Sequence, residues 1–218
     1  MAEFIEIYDL EGNYLRDEER KSFYKQLKEQ YDKEGKTDTS TKGIYLFLID
    51  RGGNIYLQKR SKIVLQNPSL WDKTVGGHVM KGDSFEDTLV RETKEEINVD
   101  VILTTSDDFE ETVKSTDLTK KAVVKRIDTL QRESRRVLAG GKYFIKHTNS
   151  AMFFGYYEGD FKLIDGEVEE MKLFSLDELE KSLNKNPEQF TDDVVFLIKK
   201  YKKFFIPLVV SHTSHVKQ

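Results

Sequence analysis

The chain has 218 residues, a formal net charge of −4 and no cysteine, with 38% hydrophobic and 34% charged residues. This composition excludes disulfides, cysteine zinc sites and thiol nucleophiles, and the interspersed basic and acidic residues disfavour general nucleic-acid binding. There is no recognisable signal peptide and no apolar run of the roughly 20 residues that span a bilayer, so we expect a soluble cytoplasmic protein without membrane contact.

The first 42 residues are predicted to be an extension that precedes one main domain. Residues 4–8 alternate weakly in hydropathy and meet a turn, which predicts a hairpin or edge strand. Residues 16–33 have large apolar side chains at fourth-residue spacing, which predicts an amphipathic surface helix. Residues 35–42 are polar and rich in turn formers, and we expect them to be a linker.

The main domain is predicted to span 43–204 and to open with a hairpin. An almost continuous apolar run at 43–49, a glycine-rich turn and a returning run at 55–60 indicate two strands, the first covered on both faces. A helix is predicted from Ser84 to Ile97, because Ser84 with Asp87 three residues later has the form of a capping box.

The second half of the chain alternates between helical and strand patterns. Apolar residues recur at helical spacing over 118–138, and a glycine pair follows in the manner of a helix C-cap, which predicts a helix inside an insertion at about 106–147. Strands are expected at 151–157 and 168–174, helices at 176–186 and 190–204, and a polar tail at 205–218. The fold class is therefore α/β (α+β), a mixed sheet covered by helices.

The predicted helix at 84–97 carries a cluster of acidic side chains. Glu92, Glu95 and Glu96 stand at i, i+3 and i+4, which places three carboxylates within an arc of about 100°. Crowded carboxylates repel one another, and a hard cation such as Mg²⁺ or Mn²⁺ offsets that repulsion. Arg91 can pair with a neighbouring carboxylate and fix its rotamer. The buried flank of this helix is expected to consist of Leu89, Val90, Thr93 and Ile97.

This stretch resembles the signature of the Nudix hydrolase family. The matching positions are Gly77, then Arg91-Glu92 and Glu95-Glu96, all at the family's spacing. Three positions depart from the family pattern: Asp83 stands for glutamate, Thr93 for an apolar residue and Asn98 for glycine. The likeness also extends from the hairpin at 43–60 to the late strand and helix that end near 185.

The resemblance implies an α/β/α sandwich and a Mg²⁺- or Mn²⁺-dependent hydrolase that cuts a diphosphate linkage in a nucleoside diphosphate joined to another moiety, or in a similar small molecule. Its metal would lie on Glu92, Glu95, Glu96 and the carbonyl of Gly76. The general base is either one of the helix pair or a loop carboxylate. The candidate loop carboxylates are Glu167 and Glu170, and the candidate substrate contacts are Lys59, Arg60, Trp71 and His78, although Trp71 fits a packing anchor and His78 a loop-ordering hydrogen bond better.

Two competing functions follow from the same likeness. Residues 57–61 and 71–78 also resemble isopentenyl diphosphate isomerase, a branch of the same fold, but Gly76 occupies the position of that enzyme's cysteine. A Nudix-like domain that binds a ligand without turnover is the other alternative. The substrate and the oligomeric state stay open, with a homodimer as one candidate.

Overall fold

The computed structural model describes residues 2–164 and 166–208. Within these ranges the chain forms ten strands and five helices, together with two short 3₁₀ turns. The strands are β1 Phe4–Asp9, β2 Tyr14–Glu19, β3 Thr39–Ile49, β4 Ile55–Arg60, β5 Trp71–Asp72, β6 Val75–His78, β7 Asp100–Thr104, β8 Lys121–Val137, β9 Tyr143–Tyr156 and β10 Val168–Phe174. The helices are α1 Arg20–Glu34, α2 Phe85–Ile97, α3 Phe109–Ser115, α4 Leu176–Lys185 and α5 Asp192–Tyr201.

The strands form one mixed sheet in the order β10-β4-β3-β9-β8-β7, with β1, β5 and β6 attached along β3 and β4 and β2 on β1. Strands β3 and β9 run parallel over ten paired positions, and β8 and β9 form a long antiparallel ribbon. Alternate side chains of β3 bury on opposite faces, which explains why its sequence is almost continuously apolar.

Helices cover both faces of this sheet. On one face, Leu89 and Ile97 of α2 pack with Ile44 and Leu46 of β3. On the other face α4 and α5 cover Phe47 and its neighbours. The predicted α/β (α+β) class and the sandwich with a mixed sheet are confirmed.

The N-terminal segment joins the same sheet. The expected hairpin is present, and β1 pairs with β3 as well as with β2. The linker prediction is wrong for residues 39–42, which are the first residues of β3, and residues 16–19 belong to β2 instead of the predicted helix. Residues 39–41 are strand because β1 supplies hydrogen-bond partners along them, a pairing that no local pattern reveals.

The predicted helix at 118–138 is wrong, since this stretch is the long strand β8. A β-bulge between Arg126 and Asp128 adds one residue to the strand, so Val123 and Leu130 face the same core although they are seven residues apart. The added residue shifts the two-residue spacing of the buried side chains, so the sequence pattern resembles the spacing of a helix. Gly140 and Gly141 form the turn between β8 and β9, with the amide of Gly141 donating to the carbonyl of Leu138. The helix within the insertion is α3, earlier in the chain.

The remaining elements largely follow the predictions. Strand β10 and helices α4 and α5 are present, and Ser175 caps α4 through a capping box with Glu178. Of the predicted tail at 205–218, residues 209–218 lie outside the described residues. Among the described residues, no helix is both long and apolar enough to cross a membrane.

Strands β3 and β4 pair only where they meet the hairpin turn, at Ile49 and Ile55, and then diverge. Thr74 lies in the fork, which is the gap between β3 and β4 where the two strands diverge. Its hydroxyl accepts a hydrogen bond from the amide of Leu48 at 2.9 Å and donates to the carbonyl of Tyr56 at 2.5 Å. Beyond this point β6 pairs with β3 and β5 pairs with β4, so the fork positions both short strands.

Replacing Thr74 with valine is expected to destabilise the protein by about 2 kcal/mol, because two buried backbone groups lose their partner. Urea unfolding measures the difference. Thr129→Val, at an exposed position of β8, is the matched control and is expected to change the free energy of unfolding by about 0.5 kcal/mol or less. Equal effects of the two substitutions would contradict a clamping role for Thr74.

Candidate active site on helix α2

Helix α2 begins and ends where its sequence specifies. The side chain of Ser84 accepts from the amide of Asp87 at 3.0 Å, and the Asp87 carboxylate accepts in return from the amide of Ser84 at 3.2 Å. Asn98 ends the helix in the left-handed conformation, at φ 54°, which its side chain tolerates better than most. The predicted helix, its capping box and the role of Asn98 are confirmed.

The three glutamates of α2 lie in different environments. Glu96 is 8% exposed, Glu92 is half-buried, and Glu95 faces solvent. Burial raises the pKa of the Glu92 carboxyl above its usual range, and the neighbouring Arg91 guanidinium opposes that rise. Thr93 is fully buried in place of the family's apolar residue, and its hydroxyl donates to the carbonyl of Leu89 at 2.7 Å. The prediction that Val90 lies in the buried flank is wrong, since it is 43% exposed and points away from the sheet.

Arg91 organises the acidic side chains around it. Its Nη1 donates to Glu92 Oε1 at 2.8 Å and to Glu95 Oε2 at 3.3 Å. Its Nη2 donates to the carbonyl of His78 at 3.3 Å, and its Nε lies 3.7 Å from a carboxylate oxygen of Asp83. The guanidinium therefore ties the helix to the end of β6 and to the loop that follows it.

Strand β6 carries two adjacent glycines, and each leaves room for a side chain from another element. A Cβ on Gly77 would lie 2.2 Å from Cδ of Glu92, on the α2 face of the sheet. A Cβ on Gly76 would lie 2.1 Å from Cε of Lys73, on the opposite face. A side chain at either position would therefore have to displace the side chain of Glu92 or of Lys73.

The donor set on α2 suits a hard divalent cation, since it consists of carboxylates together with the backbone oxygen of Gly76. Within residues 2–164 and 166–208, no three acidic or histidine side chains converge closely enough to hold a metal ion. Glu92 and Glu95 are turned to Arg91, and Glu96 accepts from Nε2 of Gln58 at 3.3 Å. The oxygen atoms of these residues fit Mg²⁺ or Mn²⁺ as ligands. In this structure their hydrogen-bond partners are protein groups.

The predicted substrate-contacting residues on β4 and β5 pack against other groups of the protein. Nζ of Lys59 lies 5.5 Å from the centre of the Trp71 ring, and Trp71 packs edge-to-face on Phe174 at 5.2 Å. Trp71 therefore packs as an anchor. Arg60 donates from Nε to the carbonyl of Gln66 at 3.0 Å and lies 3.7 Å from a carboxylate oxygen of the buried Asp72.

The two loop carboxylates offered as bases lie at the start of β10. Both Glu167 and Glu170 are exposed. Glu170 stands opposite Lys59 in the β10–β4 register, and Lys59 faces away from the side on which Gln58 reaches Glu96. The structure therefore does not bring Glu170 to the acidic helix.

His78 faces the side of β6 opposite to Glu92. Its Nε2 lies 2.6 Å from the hydroxyl of Tyr24 and 2.8 Å from Nζ of Lys146. Burial, helped by the charge of Lys146, lowers the pKa of His78 well below its usual value. A neutral imidazole held by Tyr24 and Lys146 agrees with a role in ordering the loop.

A buried polar layer lies on this second face, and it was not predicted from the sequence. Asp193, fully buried at the start of α5, accepts from Arg132 Nε at 3.2 Å and lies 2.8 Å from Arg136 Nη2 and 3.8 Å from Lys73 Nζ. The three cations hold the pKa of the Asp193 carboxyl far below its usual range, against the opposing effect of burial. We define the buried polar layer as Lys73, Asp72, Arg132, Ser134, Arg136, Lys146 and Asp193.

Arg132, Ser134 and Arg136 were missed because they lie in the stretch that was predicted to be a helix. Once 121–137 is known to be a strand, the alternation of Arg132, Ser134 and Arg136 places them on one face. Gln58 was also missed, although its even spacing with Tyr56 on β4 places it on the face of α2.

The NUDIX domain family model matches residues 39–194, which is well over half of the chain. This chain belongs to the Nudix family. A curated relative, "Uncharacterized Nudix hydrolase all7351" of Nostoc sp. (strain PCC 7120 / SAG 25.82 / UTEX 2576), is 36% identical over 55 residues, covering 25% of this chain and 32% of the relative. The alignment thus spans about a third of that relative's length.

Two solved structures share the Nudix fold with this chain. DR0079 from Deinococcus radiodurans superposes with a TM-score of 0.62 at 13% identity, covering 91% of this chain and 98% of that one. The MutT protein from Methanosarcina mazei Go1 gives a TM-score of 0.50 at 20% identity, covering 74% of this chain and 92% of that one. At these identities the likeness shows the fold.

Gly77→Ala is expected to weaken Mn²⁺ binding by about tenfold or more, because the new methyl group displaces the Glu92 carboxylate. Calorimetric titration of the folded variant with MnCl₂ measures this affinity. Gly52→Ala, in the β3–β4 turn, is the control and is expected to bind Mn²⁺ as the parent protein does. Unchanged affinity in Gly77→Ala would show that Glu92 holds no metal.

Asp193→Asn is expected to cost about 3–5 kcal/mol of stability at pH 7, because it leaves buried cations without their counter-charge. The folded pKa of Asp193 lies below its unfolded value, so its stabilisation is present above about pH 4 and is lost as the pH falls further. In urea unfolding between pH 7 and pH 3, the difference in stability between parent and variant should therefore be constant above about pH 4, narrow below it, and still be present at pH 3, because the folded pKa lies lower still. The exposed neighbouring Asp192→Asn is the control, with an expected cost of about 1 kcal/mol or less.

Proposed function

We propose that this Nudix protein is a Mg²⁺- or Mn²⁺-dependent hydrolase that cleaves the diphosphate linkage of a nucleoside diphosphate joined to another moiety, or of a similar small molecule. The observation that carries the proposal is the set of carboxylates on α2. Glu92, beside Gly77, and Glu96, beside Gln58, are held largely out of water, where burial of like charges is costly without a bound cation.

In the proposed mechanism, Glu92, Glu95, Glu96 and the carbonyl of Gly76 would hold the cation. When bound, that cation supplies charge neutralisation for the phosphate oxygens and lowers the pKa of water. Arg91 positions Glu92 and Glu95 through its hydrogen bonds to both carboxylates.

Hydrolysis adds one water to one phosphorus. The water oxygen bonds that phosphorus, the bridging P–O bond breaks, and a carboxylate accepts the proton, so that two phosphate products leave. We place the base among the helix pair, Glu95 and Glu96. Glu170 faces away from α2 beside Lys59, which makes it the weaker candidate. Arg60 remains a candidate phosphate contact at the end of β4, whereas Lys59 lies on the same face as Glu170 and is the weaker candidate.

The isomerase alternative is disfavoured by packing as well as by composition. That enzyme's cysteine would occupy position 76, where a Cβ would lie 2.1 Å from the buried side chain of Lys73. No other cysteine exists in the chain to replace it. The cytoplasmic location and the homodimer remain predictions.

The proposal is tested by following phosphate release, coupled to a phosphatase, from a panel of diphosphate compounds with Mg²⁺ or Mn²⁺. Glu96→Gln is expected to lower kcat by about a hundredfold or more, because it removes a charge at the reacting centre. Glu86→Gln, on the first turn of the same helix, is the matched control and is expected to keep parent activity.

If Glu96→Gln turns over substrate as fast as the parent does, the assignment of α2 as the catalytic element is contradicted. A panel without turnover, with Mn²⁺ bound and a nucleotide still raising the melting temperature, would favour a Nudix-like domain that binds its ligand without hydrolysis.

A further inference from the structure

Gln58 is a buried amide that faces the carboxylates of α2 from the sheet. It lies on β4, is 2% exposed, and its Nε2 donates to Glu96 Oε2 at 3.3 Å. A buried side-chain amide costs free energy unless its polar atoms have partners. The carbonyl end of an amide only accepts hydrogen bonds and is repelled by a carboxylate, so the NH₂ end is the one that faces Glu96. The contact therefore orients both side chains.

The elements that carry Gln58 and Glu96 are held firmly. Met171 of β10 stands opposite Gln58 on one side of β4, and Asp72 of β5 stands opposite it on the other side. On the helix, Ile97 is fully buried next to Glu96 and packs with the core between α2 and the sheet. Side chains on a paired strand and a packed helix are positioned more precisely than side chains on a loop. The amide and the carboxylate therefore meet in a defined geometry.

The three glutamates of α2 accept hydrogen bonds from two electrostatically different donors. Arg91, which is positively charged, donates to Glu92 and Glu95. Gln58, which is neutral, donates to Glu96. A guanidinium competes with a cation for the charge of a carboxylate, whereas a neutral amide orients the carboxylate without cancelling that charge. The hydrogen bond from Gln58 therefore suits a carboxylate that is to bind a metal ion.

We propose that Gln58 is a positioning residue of the candidate active site, which sets the affinity for Mg²⁺ or Mn²⁺ and the rate of the chemical step through its hydrogen bond to Glu96. This inference rests on the proposed hydrolase function and deepens it, because it adds a residue of the sheet to a site otherwise built on α2 and β6. Gln58 itself touches neither the cation nor the diphosphate. Replacing a residue that hydrogen-bonds to a metal ligand typically lowers metal affinity or activity by about 10- to 100-fold.

Mn²⁺ affinity is measured first, without substrate, by calorimetric titration of MnCl₂ into the full chain. Gln58→Met replaces the amide with an unbranched apolar side chain, and Gln58→Asn keeps an amide but shortens its reach. Both variants are expected to weaken Mn²⁺ binding by about tenfold or more, because Glu96 loses the group that orients it. Tyr56→Phe removes only a hydroxyl on the same face of β4, and this matched control is expected to bind Mn²⁺ as the parent does.

A double-mutant cycle separates a positioning role from a general effect on the fold. Glu96→Asp keeps the negative charge but withdraws the carboxylate from Gln58. Adding Gln58→Met to Glu96→Asp is therefore expected to change the Mn²⁺ affinity by about twofold or less, since the hydrogen bond is already lost. An effect that acted through the fold would weaken binding by the same factor in both backgrounds. Circular dichroism and urea unfolding establish that each titrated protein is folded.

Turnover is measured second, at saturating Mn²⁺, with UDP-glucose and ADP-ribose as the diphosphates. Gln58→Met is expected to lower kcat by about tenfold or more and to change KM by about twofold or less, because Gln58 acts on the reacting centre through Glu96 and makes no contact with the substrate. A loosened site would raise KM as well, since the substrate would also lose its contacts.

Several outcomes would overturn the inference. These are no Mn²⁺ binding by the parent, equal Mn²⁺ affinity of Gln58→Met and the parent, an equal loss in Tyr56→Phe, or an undiminished effect of Gln58→Met in the Glu96→Asp background. Mn²⁺ binding that depends on Gln58, with no hydrolysis of any diphosphate, would support the positioning role at the metal site and contradict the proposed hydrolase function. Hydrolysis that is lost in Glu96→Gln but unchanged in Gln58→Met would do the reverse.

Discussion

The close approach of two side chains to strand β6 is the constraint on which the candidate site depends. Glu92 occupies the space beside Gly77, and Lys73 occupies the space beside Gly76 on the other face. A side chain at either glycine would displace the side chain that lies beside it. The position of β6 depends in turn on Thr74, which satisfies backbone groups of both diverging strands at the fork. Helix α2, strand β6 and the fork at Thr74 therefore depend on one another for their positions.

The two faces of β6 differ in electrostatic character. The α2 face holds carboxylates that accept from Arg91 and Gln58, while the other face holds cations grouped around Asp193. Burying either group alone would be costly, since each charge loses its hydration.

Long-range strand pairing explains most of the elements that were predicted wrongly. Strand β8 shows helical spacing because of its bulge, and its charged inward side chains hide the two-residue period. Residues 39–42 look like a linker because their partners lie on β1, distant in the chain. Val90 was placed on the wrong side of α2 for a simpler reason, since one residue of error on a helix turns a side chain by about 100°.

The sequence by itself determined helix α2, its capping box, the family motif and the mixed α/β class, because these depend on local spacing and backbone capping. It also determined which residue types are present to bind a cation. Only the tertiary structure decided that Glu96 meets Gln58, that His78 faces Tyr24 and Lys146, and that Asp193 gathers three cations from distant elements. The physical reason is that burial and charge pairing depend on which strands lie side by side, and strand neighbours are chosen by the whole sheet.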